Sequence, residues 1–181
     1  MRVVKLGGSL LENGRLFECL KHIVTAGEST IVVCGGGDFA NHVRQAQKKW
    51  QFDDTVAHKM AILAMQQMAT MCQNLQPEFV IASSVSEIKN NRFAIWSPNI
   101  TELNAAEIPA TWAITSDSLA AWLATQLNAA ELVVVKSCDV DSTLTVVELR
   151  EQEVVDATFD AFIEEAEFKV IVISAGDFLT S

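Results

Sequence analysis

Several classes of protein are excluded by what this 181-residue sequence lacks. No uncharged apolar run approaches the roughly 20 residues that a helix needs to span a bilayer. Met1 leads directly into a strand pattern, without the longer apolar run and small-residue cleavage site of a signal peptide. We therefore expect a cytoplasmic protein with no membrane partner.

Basic residues are scarce, since 13 Lys and Arg stand against 23 Asp and Glu for a formal net charge of −10. A protein that binds a nucleic-acid backbone normally carries a basic face, so we expect no nucleic-acid partner. The cysteines lack the paired spacing of a zinc or redox motif, which favours buried thiols in a reducing compartment; they are Cys19, Cys34, Cys72 and Cys138.

Half of the residues are apolar, and the pattern of these residues predicts alternating strands and helices. Strands are predicted at residues 2–6, 30–34, 79–82, 92–96, 132–136, 144–149 and 170–174. Helices are predicted at residues 15–26, 39–50, 117–127 and 159–167, and from Asp53 or Asp54 to about Cys72. Such alternation is typical of a mainly parallel sheet covered on both faces. We predict one α/β domain over residues 1–181, a three-layer αβα sandwich.

The predicted helix that ends near Cys72 is apolar over most of its circumference. Val56, Met60 and Leu63 begin one stripe, while Ala57 and other apolar residues spread around it. A helix of this kind is buried on two sides. Core burial, a dimer seam and a Met-lined pocket wall are alternative explanations, and we predict a homodimer.

Two predicted strands end in glycine-rich turns, Gly7-Gly8-Ser9 after Lys5 and Gly35-Gly36-Gly37 after Cys34. Glycine permits positive φ and lets backbone N–H groups approach an anion, and a following helix N-terminus adds positive potential. Ligands of open α/β sheets bind beyond the carboxyl ends of the strands, where both turns would lie. Either turn alone is explained as a tight turn, but the two together favour phosphate binding.

Two nucleotide-binding motifs fit less well. Neither turn has the Gly-Lys-Ser/Thr ending of a Walker A loop. Gly35, Gly37 and Ala40 weakly match a dinucleotide pattern, with Asp53 and Asp54 as the acidic residues. That motif requires an acidic residue at the end of the next strand, whereas these aspartates open a helix.

Two further features are expected at the same edge of the sheet. Thr115, Ser116 and Asp117 precede or begin a helix, and simple helix capping by one of them is a sufficient explanation. Lys136 ends a buried strand, with Asp139 and Asp141 beyond it. A solvated loop lysine is the default expectation for Lys136.

Three segments resemble motifs of the amino acid kinase family, in the family's order: residues 4–10 (VKLGGSL), 33–41 (VCGGGDFAN) and 112–120 (WAITSDSLA). The resemblance covers the chain from end to end and implies ATP as phosphoryl donor with Mg²⁺. Residues 57–62, 112–118 and 155–159 resemble a short archaeal and methylotroph branch. Its activity is phosphorylation of (aminomethyl)furan-methyl phosphate in methanofuran biosynthesis.

The resemblance assigns roles position by position. Lys5, Asp117 and Lys136 would be catalytic, with Asp117 orienting the lysines and the cations neutralising the transferring group. The phosphate-binding positions would be Gly7, Gly8, Ser9, Gly35, Gly36 and Gly37. The acceptor pocket would draw on Arg15, Asn41, Arg44 and His58, although a packed histidine is an alternative. Nucleotide contacts would come from Ser116, Asp139 and Asp141, and no protein metal ligand is expected.

A phosphorylated or carboxylated acceptor is implied, and a phosphate monoester needs no general base because its oxygen is already anionic.

The sequence also departs from the family. Residues 136–142 (KSCDVDS) replace the usual Thr-Asp-Val-Asp-Gly, the following nucleotide loop is abbreviated, and the end falls short of relatives. A non-catalytic protein that binds a phosphorylated metabolite or a partner subunit is therefore an alternative, and a dinucleotide-dependent oxidoreductase is a second one.

Overall fold

The computed structural model describes all residues, 1–181, as six strands and nine α-helices. The strands are β1 (Arg2–Leu6), β2 (Thr30–Cys34), β3 (Val80–Ala82), β4 (Phe93–Trp96), β5 (Glu131–Lys136) and β6 (Lys169–Ser174). The helices are α1 (Arg15–Ala26), α2 (Gly37–Trp50), α3 (Asp54–Leu75), α4 (Val85–Ile88), α5 (Ile100–Ala105), α6 (Ser116–Gln126), α7 (Val146–Glu151), α8 (Phe159–Ile163) and α9 (Ala175–Phe178). A 3-10 turn, Gly8–Leu11, follows β1.

The strands form one sheet in the order β3-β4-β2-β1-β5-β6, and every pair is parallel. Leu6 of β1 pairs with Cys34 of β2 on one side and with Val135 of β5 on the other. The carboxyl ends of β1, β2 and β5 therefore lie side by side. Strands β2, β3 and β4 lie on one side of β1, and strands β5 and β6 lie on the other. The strand order therefore reverses at β1, which is the point where a crevice opens in such folds.

Each face of the sheet carries its own apolar core, because successive strand residues point to opposite faces. Val3, Val33 and Val134 face the core that contains α6 and α8. Val4 and Val32 face the core that contains α1 and α9. This arrangement confirms the predicted three-layer sandwich. None of the helices combines the length and the apolar character required to cross a membrane.

The long helix α3 contributes to both cores, through Ile62 and Met65 on one face and through Met68 and Cys72 on the other. Core burial therefore explains much of its apolar circumference. Asp53 caps the helix, its side chain accepting a hydrogen bond from the backbone N–H of Val56. Three large apolar residues of the helix remain exposed, Leu75 (40%) at its last position and Val56 (42%) and Leu63 (55%) within it, and core packing does not explain them.

The predicted strand at residues 144–149 is wrong, because Val146–Glu151 forms helix α7. Thr145 and Glu148 form a reciprocal capping box that starts this helix. The predicted helix at residues 159–167 ends earlier, at Ile163, and the short helices α4, α5 and α9 were not predicted. The other predicted elements agree with the structure to within a few residues at each end.

Candidate active site

Lys5, Asp117 and Lys136 form a buried ionic cluster at the carboxyl edge of the sheet. Lys5 shares its sheet face with Val3, and Lys136 shares its face with Val134, so both lysines point towards α6. Asp117, in the first turn of α6, meets both of them. Its Oδ1 lies 2.7 Å from Lys5 Nζ, and its Oδ2 lies 2.6 Å from Lys136 Nζ. The three side chains are only 6%, 5% and 12% exposed in the order Lys5, Asp117, Lys136.

The cluster carries one negative and two positive charges in a largely buried site. Burial by itself would raise the pKa of Asp117, but the two neighbouring ammonium groups outweigh it and lower the pKa. Burial lowers the pKa of Lys136 to about 8, with the charge of Lys5 acting in the same direction and Asp117 opposing it. Each lysine is thus a desolvated cation that shares one carboxylate with the other.

The helix that carries Asp117 is capped from a distant part of the chain. Asp156 accepts hydrogen bonds from the backbone N–H and hydroxyl of Thr115 (both 2.9 Å) and from the backbone N–H of Ser118 (3.0 Å). Thr115 occupies the N-cap position but makes no side-chain cap bond, so the explanation of simple capping by Thr115 is wrong. No local sequence signal indicated Asp156, since 38 or more residues separate it from its partners.

The two glycine turns pack backbone against backbone above this cluster. The N–H of Gly7 donates to the carbonyl of Val135 (3.1 Å), and the N–H of Gly35 donates to the carbonyl of Leu6 (2.9 Å). A β-carbon on Gly35 would lie 2.8 Å from the nitrogen of Gly8. The two turns therefore extend the sheet ladder and form one continuous backbone surface.

Positive φ is required at only one of these glycines. Gly37 has φ of 52°, whereas Gly7 (−59°) and Gly36 (−70°) adopt values open to any residue. The expectation that positive φ explains the glycines is therefore wrong for most of them. Close approach is the reason instead, since a β-carbon on Gly36 would lie 2.5 Å from that of Ala40.

A first cavity of about 210 Å³ opens beside the glycine turns. It brings together Gly8, Gly35, Gly36, Gly37 and Ser116 with three of the predicted acceptor residues, Asn41, Arg44 and His58. His58 is buried, and this burial lowers its pKa and favours the neutral ring.

Arg15 does not join the other predicted acceptor residues at the first cavity, because it is exposed at the start of α1 and lies near Gly176. Ala61, Ile62 and Met65 of α3 line the cavity, as the pocket-wall alternative anticipated.

Arg44 lies flat against Trp112, with its guanidinium carbon 4.3 Å from the ring centroid. Trp112 Nε1 donates to Gln47 Oε1 at 2.6 Å, which fixes the ring. Desolvation lowers the pKa of Arg44, and no carboxylate forms an ion pair with it. A cation held in place without a counter-ion is suited to bind an anion. Trp112 was not predicted to line a cavity.

A second cavity of about 800 Å³ adjoins the first and shares Arg44, Trp112 and Thr115 with it. Asp117 and Lys136 line this second cavity, and residues 150, 151 and 153–157 complete its lining. Asp139 and Asp141 line neither cavity and are exposed. Asp141 instead accepts hydrogen bonds from Thr143 within its own loop.

The weak match to a dinucleotide pattern has no counterpart in the structure. Asp53 caps α3, and Asp54 accepts a hydrogen bond from Gln47, so neither follows a strand. Ser9 instead joins the loop after β5 to the first glycine turn, with its Oγ 2.7 Å from that of Ser137. Ser9 is also among the residues that line the first cavity. The acidic residues of the dinucleotide pattern are therefore engaged elsewhere in the fold.

Two glycine turns and two lysines at the edge of a parallel sheet define an α/β protein of the phosphoryl-transfer class. The sequence profile of the amino acid kinase family matches residues 1–145, and the chain belongs to this family. It is a kinase-type phosphotransferase, so the oxidoreductase alternative is wrong.

The [5-(aminomethyl)furan-3-yl]methyl phosphate kinase of Methanocaldococcus jannaschii is 30% identical over 144 residues, which are 77% of this chain and 67% of that protein. Uridylate kinase from Archaeoglobus fulgidus shares the fold with a TM-score of 0.73 at 20% identity, over 99% of this chain and 94% of that one. UMP kinase from Bacillus anthracis does so with a TM-score of 0.71 at 16% identity, over 97% and 87% of the two chains.

Proposed function

We propose that this kinase transfers the γ-phosphoryl group of ATP to a phosphate monoester, such as (aminomethyl)furan-methyl phosphate. The observation that carries the proposal is the cluster of Lys5, Asp117 and Lys136, of which Asp117 and Lys136 line the second cavity. Bringing two phosphate anions together requires cations, and two desolvated ammonium groups supply them. The phosphate acceptor of the M. jannaschii relative supports this class of acceptor.

Catalysis at this site rests on charge and position. Lys5 and Lys136 stabilise the charge that develops on the transferring group, and Asp117 holds both ammonium groups in place before the substrates arrive. The backbone of the glycine turns supports the phosphate from the other side. The acceptor oxygen is already anionic, so His58 has no proton to remove and its neutral ring serves to line the cavity.

The second cavity is the better site for ATP, because Lys136 lies in it and Arg44 lies at its junction with the first. No group of three or more His, Cys, Asp or Glu side chains is arranged to hold a metal ion. Mg²⁺ would therefore be held mainly by the nucleotide phosphates and water, which is its usual mode of binding in such sites. When bound there, Mg²⁺ neutralises charge on the β- and γ-phosphates.

The first cavity is the better site for the acceptor. Arg44 would bind its phosphate, and Ile62, Met65 and Trp112 offer apolar surface to a flat ring. Glu12 is the one carboxylate that lines this cavity, and it makes no ion pair or side-chain hydrogen bond. A free carboxylate in the lining of this cavity suits an acceptor that carries an ammonium group.

We also propose that the kinase works as a homodimer. Val56 and Leu63 are seven residues apart on α3, so they lie on the same side of the helix, and both remain exposed. An exposed apolar stripe of this kind is typical of an association surface.

The acceptor is tested by supplying ATP, Mg²⁺ and either (aminomethyl)furan-methyl phosphate or UMP, and following products by ³¹P NMR. We expect paired diphosphate resonances from the aminomethylfuran ester and little turnover of UMP. Glu12→Gln should raise the Michaelis constant for the amine-bearing acceptor by about tenfold. Glu18→Gln, at an exposed position of α1, should leave it unchanged. Preferred turnover of UMP, with no effect of Glu12→Gln, would contradict the proposed acceptor.

A further inference from the structure

The carboxylate of Asp156 binds Thr115 and Ser118, the two residues at the start of α6 between which Asp117 lies. Its Oδ2 accepts the N–H and hydroxyl of Thr115 and the N–H of Ser118. Its Oδ1 accepts the hydroxyl of Ser118 and the N–H of Thr158 (3.4 Å). Asp117 lies between the two residues that are held, and it is not itself a partner of Asp156.

This capping arrangement is more specific than helix α6 requires. A helix start needs acceptors for its free N–H groups, and the N-cap side chain usually supplies one of them. Here the hydroxyl of Thr115 donates to Asp156 instead, and a carboxylate from outside the helix takes the place of the cap. Because both oxygens of Asp156 are engaged, the first turn of α6 is fixed in rotation as well as in position.

We propose that Asp156 is a positioning residue for phosphoryl transfer: by holding Thr115 and Ser118 it sets the direction of Asp117, and through Asp117 the separation of Lys5 and Lys136. The inference rests on the catalytic role proposed above for the lysines. Asp156 lines the second cavity together with Asp117 and Lys136, so it also contributes charge to the same site.

Several charged groups face Lys136: Lys5 from β1, Asp117 from α6, Asp156 from the segment before α8, and Arg44, Arg150, Glu151 and Glu153 across the second cavity. Burial has the largest influence and lowers the pKa of Lys136 to about 8, whereas the negative charge of Asp156 raises it. Loss of that charge, or rotation of Asp117 away, therefore favours loss of the Lys136 proton at lower pH. Because the charge of Asp156 acts on Lys136 directly, a shifted midpoint alone does not show positioning. A residue that only caps a helix would alter stability and leave kcat unchanged at a pH where Lys136 stays protonated.

The test compares Asp156→Asn with Asp156→Glu and with Asp177→Asn, which removes a carboxylate that bonds Ser174 outside both cavities. The first measurement is an NMR titration of lysine Cε in the protein without substrates, with Lys136 assigned by Lys136→Met. The second is kcat against pH with saturating substrates, made below the unfolding temperature of each variant.

We expect Asp156→Asn to lower the titration midpoint of Lys136. It should also lower kcat by about tenfold to a hundredfold, as misplacement of catalytic groups does. Asp156→Glu should restore the midpoint at least in part, and Asp177→Asn should match wild type in both measurements. An unchanged midpoint in a folded Asp156→Asn protein, or wild-type kcat, would overturn the inference. Since the NMR titration uses no acceptor, a wrong choice of acceptor changes the kinetic result alone.

Discussion

A β-carbon placed on Gly8 would lie 2.5 Å from the backbone nitrogen of Gly37, closer than real β-carbons approach other atoms. The two glycine turns therefore depend on each other, because neither can hold its shape unless the other comes within backbone contact. This contact fixes the separation of β1 and β2 at the edge where the phosphate groups would bind.

We predict that Gly8→Ala pushes the turns apart and weakens binding of ATP·Mg²⁺ and phosphate ligands by at least about tenfold. Overpacking of this kind costs roughly 1–3 kcal/mol of stability, so the variant should remain folded. Isothermal titration measures the affinity and thermal unfolding the stability. Gly176→Ala is the matched control, since its β-carbon would lie 3.4 Å from the nearest atom, the flexible end of Arg15. Wild-type affinity in Gly8→Ala would show that the turns do not bind phosphate.

Lys5→Ala should lower kcat by at least about a hundredfold while leaving the fold intact. A preorganised cation at developing phosphoryl charge contributes roughly 3 kcal/mol or more to transition-state stabilisation. Asp117 keeps Lys136 as a partner in this variant, so no buried charge is left unpaired. Lys169→Ala removes an exposed cation far from the site and serves as the control. Near-normal turnover of Lys5→Ala would exclude Lys5 from the mechanism.

The places of Lys5 and of the glycine turns could be predicted from the sequence because their signals are local. The default expectation of a solvated Lys136 was wrong, since this side chain is largely buried against Asp117. An apolar strand followed by glycines places Lys5 and the turns, and alternation along β1 and β5 puts Lys5 and Lys136 on the same face as α6. Asp156 could not be predicted, because nothing near it in sequence indicates that its carboxylate meets a helix start 38 residues earlier. Trp112 was missed for the same reason.

Helix α7 was missed although its signal was present. Leu144, Val146 and Leu149 were interpreted as a strand, whereas Thr145 and Glu148 have the spacing of a capping box that begins a helix. For the glycines, the turns were placed correctly at the ends of β1 and β2, but positive φ, one of the two reasons given for them, holds at Gly37 alone among the turn glycines. Close approach between two segments depends on tertiary structure, so sequence alone cannot distinguish it from a requirement for positive φ.

The exposed stripe on α3 predicts a dimer at micromolar concentration. Leu63→Glu places a charge at the centre of that stripe and should shift the protein to monomer in sedimentation velocity experiments. Val147→Glu changes a comparably exposed apolar residue on α7 and should leave the dimer unchanged. A wild-type protein that sediments as a monomer would leave Val56 and Leu63 as ordinary surface residues.

The pKa of Lys136 predicts opposite effects of pH on activity and on stability. The folded protein releases this proton near pH 8, whereas a lysine in the unfolded chain keeps it to about pH 10.5. Between these values the unfolded state binds more protons, so this group's contribution to the free energy of unfolding rises with pH, by about 3 kcal/mol in all. Activity should fall as the pH rises through about 8, because the folded protein loses the Lys136 ammonium there. Denaturant unfolding and kcat against pH, each compared with Lys136→Met, isolate this group.

Lys136→Met should also weaken ATP binding by about tenfold or more while leaving the affinity for the acceptor unchanged. The substitution keeps the length of the side chain and removes its charge, and Lys136 is the lysine that lines the second cavity. Because the loop after β5 is short and its aspartates are exposed, few other groups there can hold the nucleotide. A lysine acts as a point charge on a flexible stem, so wild-type affinity should be modest and should fall steeply with added salt. Isothermal titration of ATP·Mg²⁺ at two salt concentrations measures both effects. If wild type binds the acceptor but not ATP, and Lys136→Met changes neither, then Lys136 has no role in nucleotide binding and the second cavity is not the ATP site.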